Sequence, residues 1–518
     1  MLFNSYLFIF LFLPIVLTVF YTLNNKELSI CWLVGASFFF YSWWNYNYLI
    51  LFILSLIFNY YSSIILINNK KKHNRIYSKL ILCIGIFVNL SILGYYKYFN
   101  FFIFNINNIF NIEFQEQSIL LPLAISFYTF QQIAFLIDTY KSETCRYSLM
   151  KYCLFVSFFP QLIAGPIVRQ NETINQFQNH AFNRFNYTNI SIGLTIFTIG
   201  LFKKVVIADG IAPFASFVFD AASNGETIYF IESWCGALSY TFQLYFDFSG
   251  YSDMAIGLGR MLNIKLPLNF FSPYRCISII DFWKQWHITL SFFLRDYLYI
   301  PLGGNRKGHV SKCINIITTM LLGGLWHGAG WTFVIWGALH GLYLAINHSW
   351  RLISIKLKPR KIKYTLLSNC FYFLLTFVAV TIGWVFFRSD NLFTAQRILF
   401  GMIGLNGVNL PQGYLAIMGY LGGLLSSLGV SFNSTLLPSY LDSFCWISVL
   451  SIISWSFPNT YEFMMDYTPC LNNLNSRKKY LIPLKWRPSI SWSIIISLMF
   501  TASLLYMSKA SEFLYFNF

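Results

Sequence analysis

Apolar residues run in long blocks along this chain, and polar residues interrupt them in short clusters. After the N-terminal stretch MLFNSYLFIFLFLPIVLTVFYTL, blocks recur near residues 29–44, 48–67, 79–98, 119–138, 150–166, 190–209, 231–258, 312–325, 330–348, 365–387, 440–457 and 490–507. A helix crosses a bilayer core in roughly 20 residues, so the longer blocks predict transmembrane helices. The shorter blocks, and those broken by Gly or Pro, predict re-entrant or tilted segments. The N-terminal stretch has neither a basic leader nor a small-residue cleavage site and reads as a retained first span. The expected fold class is an all-α polytopic integral membrane protein.

Composition agrees. Of 518 residues, 56% are hydrophobic and 11% charged, against roughly 25% charged in soluble domains. The net charge of +17 does not point to nucleic acid, because the bases lie in loops: NKKKHNR at Asn69–Arg75, RLISIKLKPRKIK at Arg351–Lys363, NSRKK at Asn475–Lys479. That is the positive-inside pattern of cytoplasmic loops. With 69–79 cytoplasmic, three preceding spans place the N-terminus outside and the Asn-rich loop 99–118 outside as well. The basic loops 351–363 and 475–487 require an even number of crossings between them, for which 365–387 and 440–457 serve. Residues 412–430 then lie on the outer surface, and the span 490–507 delivers the C-terminal tail to the extracytoplasmic side. No internal repeat is visible, which weighs against a transporter built from inverted repeats. Ten scattered cysteines without CxxC spacing read as apolar fillers.

Five of the seven histidines fall between His287 and His348. In IIDFWKQWHITLSFFLRDYLYIPLGGNRKG (279–308), a helix would align Asp281, Lys284, His287, Ser291 and Arg295 as one polar stripe. Such a segment is too charged to face lipid and belongs at the cytoplasmic interface or in a water-filled funnel. Lys284, Arg295, Arg306 and Lys307, with the Gly303–Gly304 turn, suit the phosphates of a nucleotide-bearing donor; a snorkelling interfacial helix explains the same stripe. Upstream, Asp247, Ser249 and Asp253 sit inside an apolar run. They mark either polar groups of an internal chamber, together with Ser291, or an ion pair with Arg260 or Arg295.

The stretch LLGGLWHGAGWTFVIWGALHG (321–341) carries His327 and His340. Thirteen residues on a continuous helix turn through about 220°, so the two rings would not share a face, and His340 reads as structural. No HxxxH pair or Cys/His cluster suggests a metal. Gly323, Gly324, Gly328 and Gly330 fit an oxyanion site or close helix packing equally well.

Together, DFWKQWHITLSFFLRDYLYIPLGGNRKG and the WHG stretch resemble the membrane-bound O-acyltransferases, in the branch of alginate and peptidoglycan O-acetylation and, more distantly, teichoic acid D-alanylation. LPLAISFYTFQQIAFLID (121–138), FFPQLIAGPIVR (158–169), GLFKKVVIAD (200–209), YFDFSGYSDMAIG (245–257), GWVFFRSDNLFTA (383–395) and FLYFNF (513–518) follow in family order. The resemblance implies a single membrane domain over 1–518, with core motifs at 121–350 and a C-terminal span and extracytoplasmic tail at 490–518. It also implies a ring of transmembrane and re-entrant helices around a central reaction chamber. His327 would be the essential histidine, His287 the second polar group beside it, and Tyr515 an acyl relay. Acetyl-CoA would be the donor substrate, with no bound cofactor. The acceptor would be an extracytoplasmic polysaccharide, the partners membrane lipids and a periplasmic SGNH-type acetyltransferase, and the location the bacterial cytoplasmic (inner) membrane. Acyl transfer to a hydroxyl needs a base, and an imidazole among apolar flanks stays neutral and able to act as one. Two other classes remain at this point: a lipid-linked sugar flippase or exporter component, and a non-catalytic scaffold for a periplasmic acyltransferase.

Overall fold

The computed structural model describes residues 1–71, 74–141, 146–357, 366–471, 484–507 and 514. Nearly every apolar block becomes a helix at the expected place. Among the described residues, four helices are long and apolar enough to cross a membrane: Asn47–Lys70, Arg75–Phe110, Tyr187–Ser223 and Leu366–Arg388. Phe8–Thr22 and Ile490–Tyr506 are shorter apolar helices. Several boundaries differ from expectation. The block at 79–98 continues as helix to Phe110, absorbing half of the Asn-rich loop, and the block at 190–209 continues to Ser223.

The helix Phe230–Met261 is the axis of the molecule, and every residue from Ser239 to Met261 is buried. It is not a lipid-facing span, which explains why it tolerates Gln243, Asp247 and Asp253. Glycines bring Tyr187–Phe202 against it. A Cβ at Gly257 would stand 2.6 Å from the Gly193 carbonyl, and one at Gly250 would stand 2.7 Å from that of Gly200. Two reciprocal pairs seven residues apart make an antiparallel crossing with backbone touching backbone. Gly257→Val is therefore expected to cost at least about 2 kcal/mol by overpacking, read as a lower melting temperature in detergent. Gly413→Ala, with nothing within 4 Å of the added Cβ, should melt like the parent.

Two spanning helices contain a wide, π-helical turn: Gly94–Tyr98 and Lys203–Ala208. Such a turn inserts an extra residue and re-aims its side chains. From the second, Lys203 and Lys204 both reach the axial helix. Residues 402–440 form an appendage in which Asn409–Pro411 pairs in parallel with Ser431–Asn433. It docks on the start of the axial helix, where Glu232 accepts from the Leu436 amide (3.0 Å) and the Tyr440 hydroxyl (3.2 Å). The first and last helices meet too: the Tyr6 hydroxyl donates to the Leu504 carbonyl at 2.7 Å.

Candidate active site

The helix Gly308–His327 ends on its histidine because Gly328 turns extended; the chain resumes as a helix at Trp331. The two helices fold back on one another closely. A Cβ at Gly324 would stand 2.3 Å from the Phe333 carbonyl, and one at Gly337 would stand 2.4 Å from that of Met320. Packing thus accounts for Gly324. It also accounts for Gly328, whose Cβ would collide with the Phe333 ring.

His327 is 5% exposed. Its ring lies edge-on to Trp326 (centroids 4.9 Å), Trp336 (5.0 Å) and Phe387 (5.2 Å). His327 also lines a cavity of about 100 Å³, with Lys97, Ser126, Trp44, the 121–125 segment and Trp326. The Lys97 ammonium donates to the carbonyls of Trp326 (2.7 Å) and His327 (2.9 Å), and the Tyr98 hydroxyl donates to that of Leu325 (2.8 Å). Lys97 and Ser126 were absent from the sequence-based site; a lone lysine inside an apolar block was the available signal.

The interruption between His327 and His340 removes the geometric ground for separating them, since there is no continuous helix to carry a 220° turn. Trp336 packs against both rings, with centroids 4.9 Å from His340. His340 is nonetheless enclosed. It accepts from the Trp283 indole at 3.3 Å and is fully buried, with Nε2 facing Gly383.

The expected polar stripe also breaks. Ile279–Trp283 and Ile288–Leu294 are separate short helices, and His287 between them takes a left-handed backbone, φ 42°. That conformation is costly for a non-glycine residue and persists only where its surroundings enforce it. Asn269 enforces it. Its side-chain oxygen stands 3.0 Å from His287 Nδ1 and accepts from the Thr289 hydroxyl (2.9 Å), while its carbonyl accepts from the Ile288 amide (2.9 Å). An accepting oxygen requires the proton on Nδ1, which leaves Nε2 as the acceptor of a neutral ring. His287 points inward, fully buried, against Phe248 (4.8 Å) and within 6.5 Å of the Trp326 ring that also touches His327.

Lys284 points the other way, 65% exposed and 3.3 Å from Asp281. Burial pushes the Asp281 carboxyl up, but the Ser278 hydroxyl and the Lys284 and Arg351 charges outweigh it and hold it below the usual carboxylate range. Arg306 and Lys307 are exposed. Of the four proposed donor-binding bases, Arg295 lines a cavity. That cavity, of about 320 Å³, brings Arg295 and Ser291 together with Lys312, Asn305 and His348 and reaches Met320. Lys312 and His348 were missed; their side chains meet at 3.0 Å.

Asp247 and Asp253 belong to ion pairs, with lysines in place of the expected arginines. Lys204 lies 2.6 Å from Asp247 and 2.8 Å from Asp209. Lys203 lies 2.7 Å from Asp253, which also accepts from Thr460 and Tyr461, each at 2.6 Å. Ser249 is buried with no hydrogen-bond partner among the described residues. Tyr515 lies outside the described residues. Its neighbour Leu514 donates its amide to Asp247 at 3.4 Å.

The model of the membrane-bound O-acyltransferase (MBOAT) family matches residues 38–386 of this chain. The protein belongs to that family. As a family member it is an O-acyltransferase and a multi-pass membrane protein. Over its whole length it is 42% identical to the peptidoglycan O-acetyltransferase of Helicobacter pylori, covering 98% of that protein. It is 39% identical to the probable alginate O-acetylase AlgI of Pseudomonas putida, with both chains fully covered. The teichoic acid D-alanyltransferase of Streptococcus thermophilus is 29% identical over 45% of this chain and 58% of its own. The matched region contains His287, His327, Lys97, Arg295 and Lys312, so the acyltransferase core of the family carries both cavities.

Proposed function

We propose that this O-acyltransferase moves an acetyl group from acetyl-CoA on the cytoplasmic side to a hydroxyl of an extracytoplasmic polysaccharide, in the bacterial inner membrane. The observation that carries the reading is the position of His327. It ends the helix Gly308–His327 at one cavity, while Lys312 and Met320 of the same helix line the other. Met320 and His327 are seven residues apart, about 10 Å along the axis. Basic groups gather at the far cavity, where Arg295 and Lys312 suit donor phosphates. The basic loops at 69–79 and 351–363 support a cytoplasmic side for that end by the positive-inside rule.

In this reading His327 takes the proton of the acceptor hydroxyl as its oxygen attacks the thioester carbon. The carbon–sulfur bond breaks, and the departing thiolate takes the proton back from the imidazolium. His287, held by Asn269 with Nε2 bare, faces the same aromatic wall and supports the reacting group. The central chamber, the extracytoplasmic termini, an acyl relay through Tyr515 and delivery through a periplasmic SGNH-type partner belong to the same proposal. The similarity to acetylases of peptidoglycan and alginate supports both the acetyl group and the polysaccharide. Mass spectrometry of wall and secreted glycans from cells with and without the protein is the test. Loss of O-acetyl esters from one polymer is expected; unchanged esters on every polymer overturn the reading.

A further inference from the structure

We propose that Lys97 is a positioning residue for His327, and that the wide turn Gly94–Tyr98 exists to deliver it. The inference rests on His327 being the catalytic base. A helix end leaves its last carbonyls without intrahelical partners. Here the backbone closes the helix with a long bond, Gly328 amide to Gly324 carbonyl at 3.4 Å. The carbonyls of Leu325, Trp326 and His327 are met instead from one place, by the Tyr98 hydroxyl and the Lys97 ammonium. In a regular α-helix, adjacent residues point about 100° apart. The extra residue of the π-helical turn lets Lys97 and Tyr98 converge on the same helix end.

The choice of a lysine is informative. A glycine or a water closes most helix ends, at no cost in side-chain entropy or desolvation. A cation at a helix C-terminus interacts favourably with the helix dipole, but here it is brought from a helix 230 residues away in sequence. Its remaining hydrogen-bond contact, Ser126 Oγ at 3.4 Å, lies in the cavity that His327 also lines. Lys97 therefore fixes the height and rotation of the turn that presents the imidazole, and it does so from inside the reaction cavity. A displacement of about 1 Å at a reacting group can cost 100-fold in rate, which gives such a clamp a purpose beyond closing the helix.

The test compares Lys97→Met, Lys97→Gln, Lys97→Arg, Tyr98→Phe and His327→Ala in native-host membranes, by transfer of label from [14C]acetyl-CoA to polysaccharide, normalised to protein amount. Lys97→Met is expected to lose about 100-fold in kcat, with the KM for acetyl-CoA essentially unchanged. Arg should recover most of the rate, Gln an intermediate share, and Tyr98→Phe should fall only several-fold. Wild-type kcat in the Met or Gln variant overturns the inference, as does a loss confined to KM. If the Met protein is absent from the membrane, the Gln and Arg proteins decide by the same split. His327→Ala separates the two claims: full activity there sinks the catalytic reading itself, whereas inactivity there with normal Lys97→Met kinetics sinks only the role of Lys97.

Discussion

Alanine in place of His327 should leave the protein in the membrane at its normal level and remove nearly all acyl transfer. The ring is buried against three aromatic side chains in a residue that lines an existing cavity, so its loss adds space beside one that is already there. The helix-end carbonyls stay tied to Lys97 and Tyr98, because those bonds use backbone oxygens. Chemistry suffers far more. A positioned general base contributes roughly 10²–10⁴-fold, and a sugar hydroxyl is a poor nucleophile while it keeps its proton. Acetyl-ester content per unit of membrane protein is the measurement. Esters at the wild-type level would return the molecule to the non-catalytic scaffold or exporter readings.

Alanine in place of Lys204 should have the larger effect on stability. Lys204 is 2% exposed and sits between Asp247, 1% exposed, and Asp209. Removing it takes the cation from the buried Asp247 carboxylate, and breaking a buried pair in this one-sided way costs about 3–5 kcal/mol. The double variant Lys204→Met/Asp247→Asn removes a charge of each sign and should regain part of the loss, since the two residues act as a unit. Thermal melting in detergent reads both proteins. A single variant that melts with the parent, or a double variant that melts below the single, contradicts the pairing.

Helix positions were legible because burial in lipid or in a helical core writes long apolar blocks, and Phe230–Met261 and Leu366–Arg388 lie where those blocks lie. What the blocks do not record is the single extra residue that makes a wide turn. The inward reach of Lys97 and of the Lys203–Lys204 pair was therefore invisible, although a lysine in an apolar block must find acceptors and so signals a partner. The stripe Asp281–Arg295 failed for a related reason. Neither Gly nor Pro marks the break at 284–287; the chain departs from helix there because Asn269, remote in sequence, binds His287 and Thr289 together. His327 stands out by its motif, and the structure sets it at a helix end beside a cavity. The break beside it was also written in the sequence, as Gly328 and Gly330, and a continuous helix through them was the wrong template for His340.

The hydrogen bond from Tyr6 to Leu504 also sets an order of assembly. Its partners are 498 residues apart, and at roughly 5–20 residues per second of synthesis the first waits about 25–100 s for the second. The Lys97 clamp likewise waits through some 230 residues for its helix end. During that interval the early helices hold polar groups whose acceptors have not been made, so the nascent protein depends on water, lipid headgroups or the insertion machinery to shelter them. A ribosome stalled before residue 327 would leave a membrane-inserted chain with every early helix in place and no site.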